Sequence, residues 1–501
     1  MTRIVSPASG TARRPPQAAR SSHPSLSSLP SKKEVSPKQK KPKTQRSTLS
    51  IPISPGDLVE VVTDTLRKKG TVMPNETEHL VIKLDSGYNI GIDRHKIRSI
   101  KIVEKYRSTA ANTPVTKGSD NKKKDGATKN KNLKNVALLH TGGTIASKVD
   151  YRTGGVVARF DPKEILELFP ELKNIVAIDS RLIGNMWSED MRFVHFQKIA
   201  QEIVKELKRG AQGIIVTHGT DFMAYTAAAL AFMLQDIPVP VILVGAQRSS
   251  DRGSSDAAMN LICAAEFIAQ TTFAGVALCM HETQNDVNCL ILPATTTRKM
   301  HASRRDAFHA INTHAIARIN YETKIITWLN DKEQKTESSE EKKNTKTFKA
   351  MIKMEEKVAL IKTHPNMVPA QFKAFKGFKG LVIEGSGLGH APTGVPDKDC
   401  TIHAKNLAEI KKLIKSGTVI LMTTQTIYGA VQMHVYSKGI DLVAEGIIPC
   451  KSLPETALIK LAWLLANYPR EMQNREKART LVETNFCGEM FYRIEDHEFL
   501  N

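Results

Sequence analysis

Two short segments of this chain gather hydroxyls, glycines and, in the second, a carboxylate at the ends of apolar runs, parts that could bind a ligand and supply a nucleophile. His140-Thr141-Gly142-Gly143-Thr144-Ile145 follows the apolar run Val136-Ala137-Leu138-Leu139. Thr217-His218-Gly219-Thr220-Asp221 follows the apolar run Gly213-Ile214-Ile215-Val216. Glycines at the end of a buried strand let a ligand approach the backbone closely. Their N–H groups are natural donors to a developing oxyanion. A threonine hydroxyl is too weakly acidic to attack at neutral pH unless a base lies within hydrogen-bond reach. Either motif alone is also compatible with a tight turn. His140 and His218, beside the motifs, read as hydrogen-bonded core residues. Lys299, in Thr295-Thr296-Thr297-Arg298-Lys299-Met300, reads on its own as a surface lysine.

The elements that must hold these segments follow from the apolar pattern. Four buried runs, at 136–139, 213–216, 241–244 and 275–280, alternate with helical spacings such as Phe196, Ile199, Ala200, Ile203 and Leu207. Residues 222–235 read as a helix. This alternation predicts a parallel α/β sheet with ligands bound beyond the strand carboxyl ends. Ahead of it, four short strands about ten residues apart, around 57–61, 71–72, 80–84 and 88–92, predict a small SH3- or Tudor-like β-barrel. The resulting organisation is a basic tail at 1–50, a barrel at 51–104, a basic linker at 105–134, an α/β domain at 135–330, a charged insertion at 331–355, and a second α/β domain with a C-terminal extension at 356–501.

The chain has 501 residues and a net charge of +21. The excess is concentrated outside the apolar segments: residues 1–50 carry eleven Lys or Arg against one acid. That segment is too poor in large apolar residues to offset its ordering entropy, and it reads as disordered, without the apolar stretch of a secretory signal. A lysine-rich tail serves equally as a solvated segment or as an attraction for phosphates. No apolar run approaches the ~18 residues of a membrane span. The six cysteines form no CxxC pair, which points to buried thiols in a reducing, cytoplasmic setting rather than to disulfides or zinc. There is no GxxxxGK[ST] and no HExxH, so no metal or ATP site is expected in this chain.

Taken together, TGGTI, THGTD and the lysine of TTTRKM resemble the L-asparaginase/glutaminase family over about 135–470. That family has a large α/β domain followed by a smaller one. The strands at 55–100, the run Gly245-Ala246-Gln247-Arg248-Ser249-Ser250-Asp251-Arg252 and the segment Thr426-Ile427-Tyr428-Gly429 are similar to the D-type subunit of the archaeal glutamyl-tRNA(Gln) amidotransferases. The resemblance implies a glutaminase with Thr144 as nucleophile and Thr220 bridged to Lys299. It implies that Asp221 grips the substrate α-amino group and orients Lys299. Ser188 and Glu189, in Ser188-Glu189-Asp190-Met191, would bind the substrate; secreted asparaginases carry Gln where this chain has Glu189. Tyr151 is the candidate mobile-loop tyrosine, in a loop at 147–160 expected to be mobile. The resemblance further implies an E-type partner subunit, in a heterodimer doubled by self-association. ATP and Mg would act in that partner, which would also bind most of Glu-tRNA(Gln). The competing readings are a free-standing L-asparaginase and a catalytically idle RNA-binding assembly subunit.

Overall fold

The computed structural model describes residues 53–73, 79–84, 89–105, 133–143, 145, 147–149, 156–158, 169–248, 255–329 and 348–491. The basic tail and most of the linker and insertion lie outside that set, as do Thr144 and Tyr151.

The first element group is an antiparallel sheet in the order β4-β3-β2-β1-β5, formed by β1 (Leu58–Thr63), β2 (Arg67–Val72), β3 (His79–Lys83), β4 (Asn89–Asp93) and β5 (Ile97–Glu104). Alternation of apolar and polar residues puts Val59, Val61, Val72, Leu80, Ile82 and Ile92 into one small core. Four strands are predicted from the sequence; β5 is the fifth. It pairs along the whole of β1, with register shifts between Leu58 and Val59 and between Val62 and Thr63.

The site is carried by a sheet of eight strands. Five run parallel: β6 (Asn135–His140), β9 (Ala177–Leu182), β10 (Gly213–Thr217), β11 (Pro240–Val244) and β12 (Gly275–His281). β6, β10 and β11 are continuous Val/Ile/Leu runs with almost every residue buried, as strands covered on both faces must be. Beyond β12 the sheet turns antiparallel through β13 (Asn288–Pro293), β16 (Ala317–Asn320) and β17 (Ile326–Trp328). The parallel pattern read from the sequence therefore holds for only part of the sheet. Residues 282–287 are too few for a crossover helix, so β13 must return as a hairpin. Between these, β7 (Ser147–Val149) pairs with β8 (Val156–Ala158), so the segment expected to be mobile contains a short two-stranded ladder. β14 (Thr297–Lys299) pairs with β15 (Phe308–Ala310) as a separate hairpin.

After the short α1 (Leu172–Ile175), α2 (Phe193–Lys208) buries Phe196, Ile199, Ala200 and Ile203 at the predicted spacing. α3 (Met223–Met233) is buried on nearly all sides, and its sequence AAALAFM has no polar face to present. α4 (Ala257–Gln270) covers the opposite face of the sheet, with Leu261, Phe267 and Ile268 in a second core. The C-terminal half is a parallel sheet of β18 (Val358–Lys362), β19 (Gly380–Gly385), β20 (Val419–Thr424) and β21 (Ile448–Pro449). α5 (Pro369–Lys373), α6 (Ile402–Lys415) and α7 (Ser437–Glu445) surround it. α8 (Pro454–Asn467) joins the two halves. Its Trp463 stacks on Phe232 of α3 at 5.6 Å, and Leu461 closes so tightly on Gly380 that a Cβ there would come within 2.7 Å. α9 (Arg475–Glu483) follows. Behind it a fully buried ion pair, Lys460 to Glu489 at 2.7 Å, is completed by Lys460 donating to the carbonyls of Val482 and Thr484. Among the described residues, no helix is long and apolar enough to cross a membrane.

Candidate active site

Both threonine motifs emerge from the carboxyl ends of adjacent parallel strands, β6 and β10, in register His140 to Thr217. Thr141 continues the ladder: its N–H and its hydroxyl both donate to the Thr217 carbonyl, at 3.1 and 2.8 Å. The next two residues are glycines in the left-handed region, φ +104° at Gly142 and +81° at Gly143. A Cβ at Gly143 would lie 2.4 Å from the Gly219 nitrogen, so the two motif loops touch backbone to backbone. A Cβ at Gly142 would meet the Met186 backbone at 2.6 Å. Only glycine satisfies both the torsion and the space. Thr144 itself is outside the described residues; Ile145 beyond it is fully buried.

Three of the candidate residues converge. The Lys299 ammonium donates to Thr220 Oγ1 at 2.9 Å and to Asp221 Oδ1 at 2.8 Å. The lysine side chain is 13% exposed and Asp221 61%, so the pair spans the wall of the site and its mouth. Lys299 is thus held inside the site rather than free on the surface. Ser188 is buried against the same loop. Its hydroxyl accepts from the Phe222 N–H at 3.3 Å, and a Cβ on Gly219 would meet it at 3.0 Å. Glu189 is exposed, and Ser188 Oγ lies 3.4 Å from its Oε2. Tyr151 lies outside the described residues.

The histidines beside the motifs are core groups. His140 lies between Thr217 Oγ1, at 2.8 Å, and Ser180 Oγ, at 2.9 Å. His218 bridges the Gly219 carbonyl at 2.7 Å and Thr226 Oγ1 at 2.9 Å. Burial lowers the pKa of each from 6.5 to about 4, so both are neutral at pH 7 and serve as hydrogen-bonding struts.

Contacts that the motifs do not reveal tie the lysine strand to the C-terminal half. Arg298 Nε pairs with Glu455 Oε1, at the start of α8, at 2.8 Å. Burial raises the Glu455 pKa, and the Arg298 charge opposes that rise. Tyr225 nearby is pushed up to about 12, first by burial and then by the Glu455 charge. Thr456 Oγ1 donates to the Thr295 carbonyl at 2.6 Å, and Asn312 exchanges hydrogen bonds with the Gly429 backbone. These partners lie over a hundred residues apart, and no local pattern marks them. The described residues contain no cluster of His, Cys, Asp and Glu suited to a metal, and all six cysteines are free.

A hydroxyl, a carboxylate and an ammonium beyond strand ends, with glycine backbone facing them, are parts suited to acyl transfer from an amide. Comparison with known proteins points the same way. Residues 135–333 match the family model for the asparaginase N-terminal domain, and residues 357–478 match that for the glutaminase/asparaginase C-terminal domain. Residues 53–103 match the GatD N-terminal domain. Among solved structures, the thermostable L-asparaginase from Thermococcus kodakarensis superposes with a TM-score of 0.61 at 26% identity, covering 72% of this chain and all of that one. L-asparaginase I from Vibrio cholerae, at 24% identity and TM-score 0.58, shares the fold. Similarity to named relatives runs further along the chain. The D-type subunit of the glutamyl-tRNA(Gln) amidotransferase of Pyrococcus furiosus is 40% identical over 459 residues, which is 89% of this chain and 97% of that protein. Its counterpart in Methanococcus maripaludis is 40% identical over 439 residues, 87% and 97% of the two chains. An asparaginase fold behind a GatD-type β-sheet unit, matched nearly end to end in these relatives, places the chain in the family of D-type subunits of glutamyl-tRNA(Gln) amidotransferase.

Proposed function

We propose that this chain is the glutaminase subunit of a tRNA-dependent amidotransferase. The observation that carries the reading is the convergence of Thr220, Asp221 and Lys299 at 2.8–2.9 Å beside the loop leading to Thr144. In the proposed reaction the Thr144 hydroxyl oxygen bonds to the glutamine side-chain carbonyl carbon. Its proton leaves through the Thr220–Lys299 pair, and backbone N–H groups of the glycine loops hold the oxyanion. Collapse breaks the C–N bond and releases ammonia, the nitrogen taking up a proton. Water then attacks the acyl-threonine, giving glutamate and restoring the hydroxyl. Asp221 and Ser188 anchor the substrate α-amino and α-carboxylate groups. Glu189 adds negative charge at the exposed edge, which favours the ammonium end of the substrate. Tyr151 is the proposed loop tyrosine.

The ammonia would pass to an E-type partner that activates tRNA-bound glutamate with ATP and Mg²⁺, in a cytoplasmic heterodimer doubled through self-association of this chain. The match of residues 53–103 to a GatD N-terminal domain supports this over a free-standing asparaginase. A glutaminase coupled to a partner must be slow alone, because unrestrained hydrolysis releases ammonia to water. The test is glutamate release by the chain alone, with its co-expressed partner, and with partner plus Glu-tRNA(Gln). We expect the last to be at least roughly tenfold faster than the first, which requires only ~1.4 kcal/mol of differential binding. Equal rates in all three, with asparagine hydrolysed as fast as glutamine, would favour the free-standing asparaginase.

A further inference from the structure

Thr220 and Lys299 belong to different elements, and their 2.9 Å contact needs both to be held from behind. Behind Thr220 lies the loop after β11: a Cβ on Gly245 would sit 2.7 Å from Thr220 Cγ2. Behind Lys299 lies the turn 300–307, which joins β14 to β15 and closes with Met300 N–H donating to the Ala307 carbonyl at 2.6 Å. A chain of polar contacts and ion pairs runs between the two supports. Asn260 of α4 donates to the Gly245 carbonyl at 3.0 Å and to Asp256 at 3.3 Å. Asp256 in turn accepts from the N–H groups of Gln247 and Arg248 at 3.0–3.1 Å. With its amide nitrogen so engaged, Asn260 presents Oδ1 to His281 Nδ1 at 2.7 Å, and that ring nitrogen must donate. On its other side His281 Nε2 lies 3.2 Å from Asp286 Oδ1, a contact that is a hydrogen bond only while the ring also carries a proton on Nε2. Asp286 pairs with Arg305 at 2.5 Å, and Arg305 also reaches the Gln284 carbonyl. Gln284 bonds Asp306, which pairs with Arg304 in the same turn.

We propose that His281 is a positioning residue for glutamine hydrolysis: it joins the Asn260 knot beneath the Gly245 loop to the Asp286–Arg305 clamp on the Lys299 hairpin, and so sets the Thr220–Lys299 contact. His281 is fully buried at the end of β12 and touches neither threonine motif. No single motif contains its partners. The charged groups facing it are Asp256, at the start of α4, and Asp286 and Arg305 from the two turns. Asn260 Oδ1 also accepts from the Cys289 thiol at 3.4 Å, so His281 and Cys289 share one acceptor. Losing the ring donor leaves that oxygen with only a weak thiol donor, a deficit that small shifts of α4 and the Gly245 loop would relieve. The Ser188 contact to the motif loop does not pass through this chain, so the Ser188 share of substrate anchoring is independent of it.

The inference rests on the glutaminase reading. The test uses the full chain with its co-purified partner and glutamine as substrate. His281→Phe keeps the ring shape and removes both nitrogens. His281→Asn keeps a donor where Nδ1 stood. We expect His281→Phe to lower kcat at least tenfold with KM within about twofold of wild type, and His281→Asn to restore most of the loss. The inference is overturned if His281→Phe keeps wild-type kcat. It is equally overturned if kcat falls and KM rises together in His281→Phe and His281→Asn restores neither, which marks a purely structural role. A wild-type complex that hydrolyses no glutamine instead removes the functional reading itself.

Discussion

Lys299 illustrates how chemistry is assigned at single residues. In isolation it is one of many lysines. Its ammonium, held by Thr220 Oγ1 and Asp221 Oδ1, is placed to give a proton towards Thr220 and to recover one from it, which makes it the relay of the proposed reaction. We expect Thr220→Val, Asp221→Asn and Lys299→Ala each to lose on the order of 10²–10⁴-fold in glutamine hydrolysis, the range for a positioned acid–base group. The double variants should lose little more than the worst single one, since the groups act as a unit; steady-state kinetics on singles and doubles checks this. His140 and His218 give the chain a pH signature of their own. Each has a folded-state pKa near 4 against 6.5 unfolded, because burial opposes the charged ring. Below about pH 6.5 the unfolded chain binds protons that the folded chain refuses. Stability is therefore full above pH 6.5 and falls as pH drops towards 4. The two shifts are worth on the order of 3 kcal/mol each. Chemical denaturation from pH 7 to 4 should show the fall, and His140→Gln should reduce its slope.

At the scale of elements, the site depends on loops that touch backbone to backbone. Gly143 and Gly417 have similar torsions, φ +81° and +90°, but only Gly143 has neighbours in the way of a Cβ. Gly417→Ala should cost about 1 kcal/mol of strain and leave activity unchanged. Gly143→Ala adds a contact of 2.4 Å with Gly219 and should cut glutamine hydrolysis at least tenfold. Thermal melts and activity on the two variants separate strain from site disruption. The strand-end motifs are legible in the sequence because a buried parallel strand is a continuous apolar run and its exit loop follows directly. β5 is not, since Arg98, Lys101 and Glu104 interrupt its apolar residues and Val103 is 47% exposed. The antiparallel half of the large sheet is hidden for a different reason. β13 has the same buried composition as a parallel strand, and only the short turn before it gives its direction away. The Gly245–Thr220 contact and the His281 chain leave no local trace, because they are made by residues that only the sheet brings together.

The whole molecule joins a small β-sheet unit to a two-part α/β body, and the body closes its own site from both halves through Arg298–Glu455, Thr456–Thr295 and Asn312–Gly429. Much of the basic excess lies, along the sequence, in residues 1–50, outside the segments that form the site. Removing residues 1–50 should leave glutamine hydrolysis unchanged, while any tRNA affinity the tail supplies should be lost and with it part of the salt dependence. Salt-titrated tRNA binding by the full and shortened chains measures that share. The central claim is that this chain makes ammonia from glutamine for use elsewhere. Its most direct test is the formation of Gln-tRNA(Gln) by the partner-bound complex carrying Thr144→Val, supplied in parallel with glutamine or with ammonium chloride. We expect the variant to make no product from glutamine and to match wild type with ammonium. Wild-type yield from glutamine, or failure with both nitrogen sources in a folded complex, would contradict it.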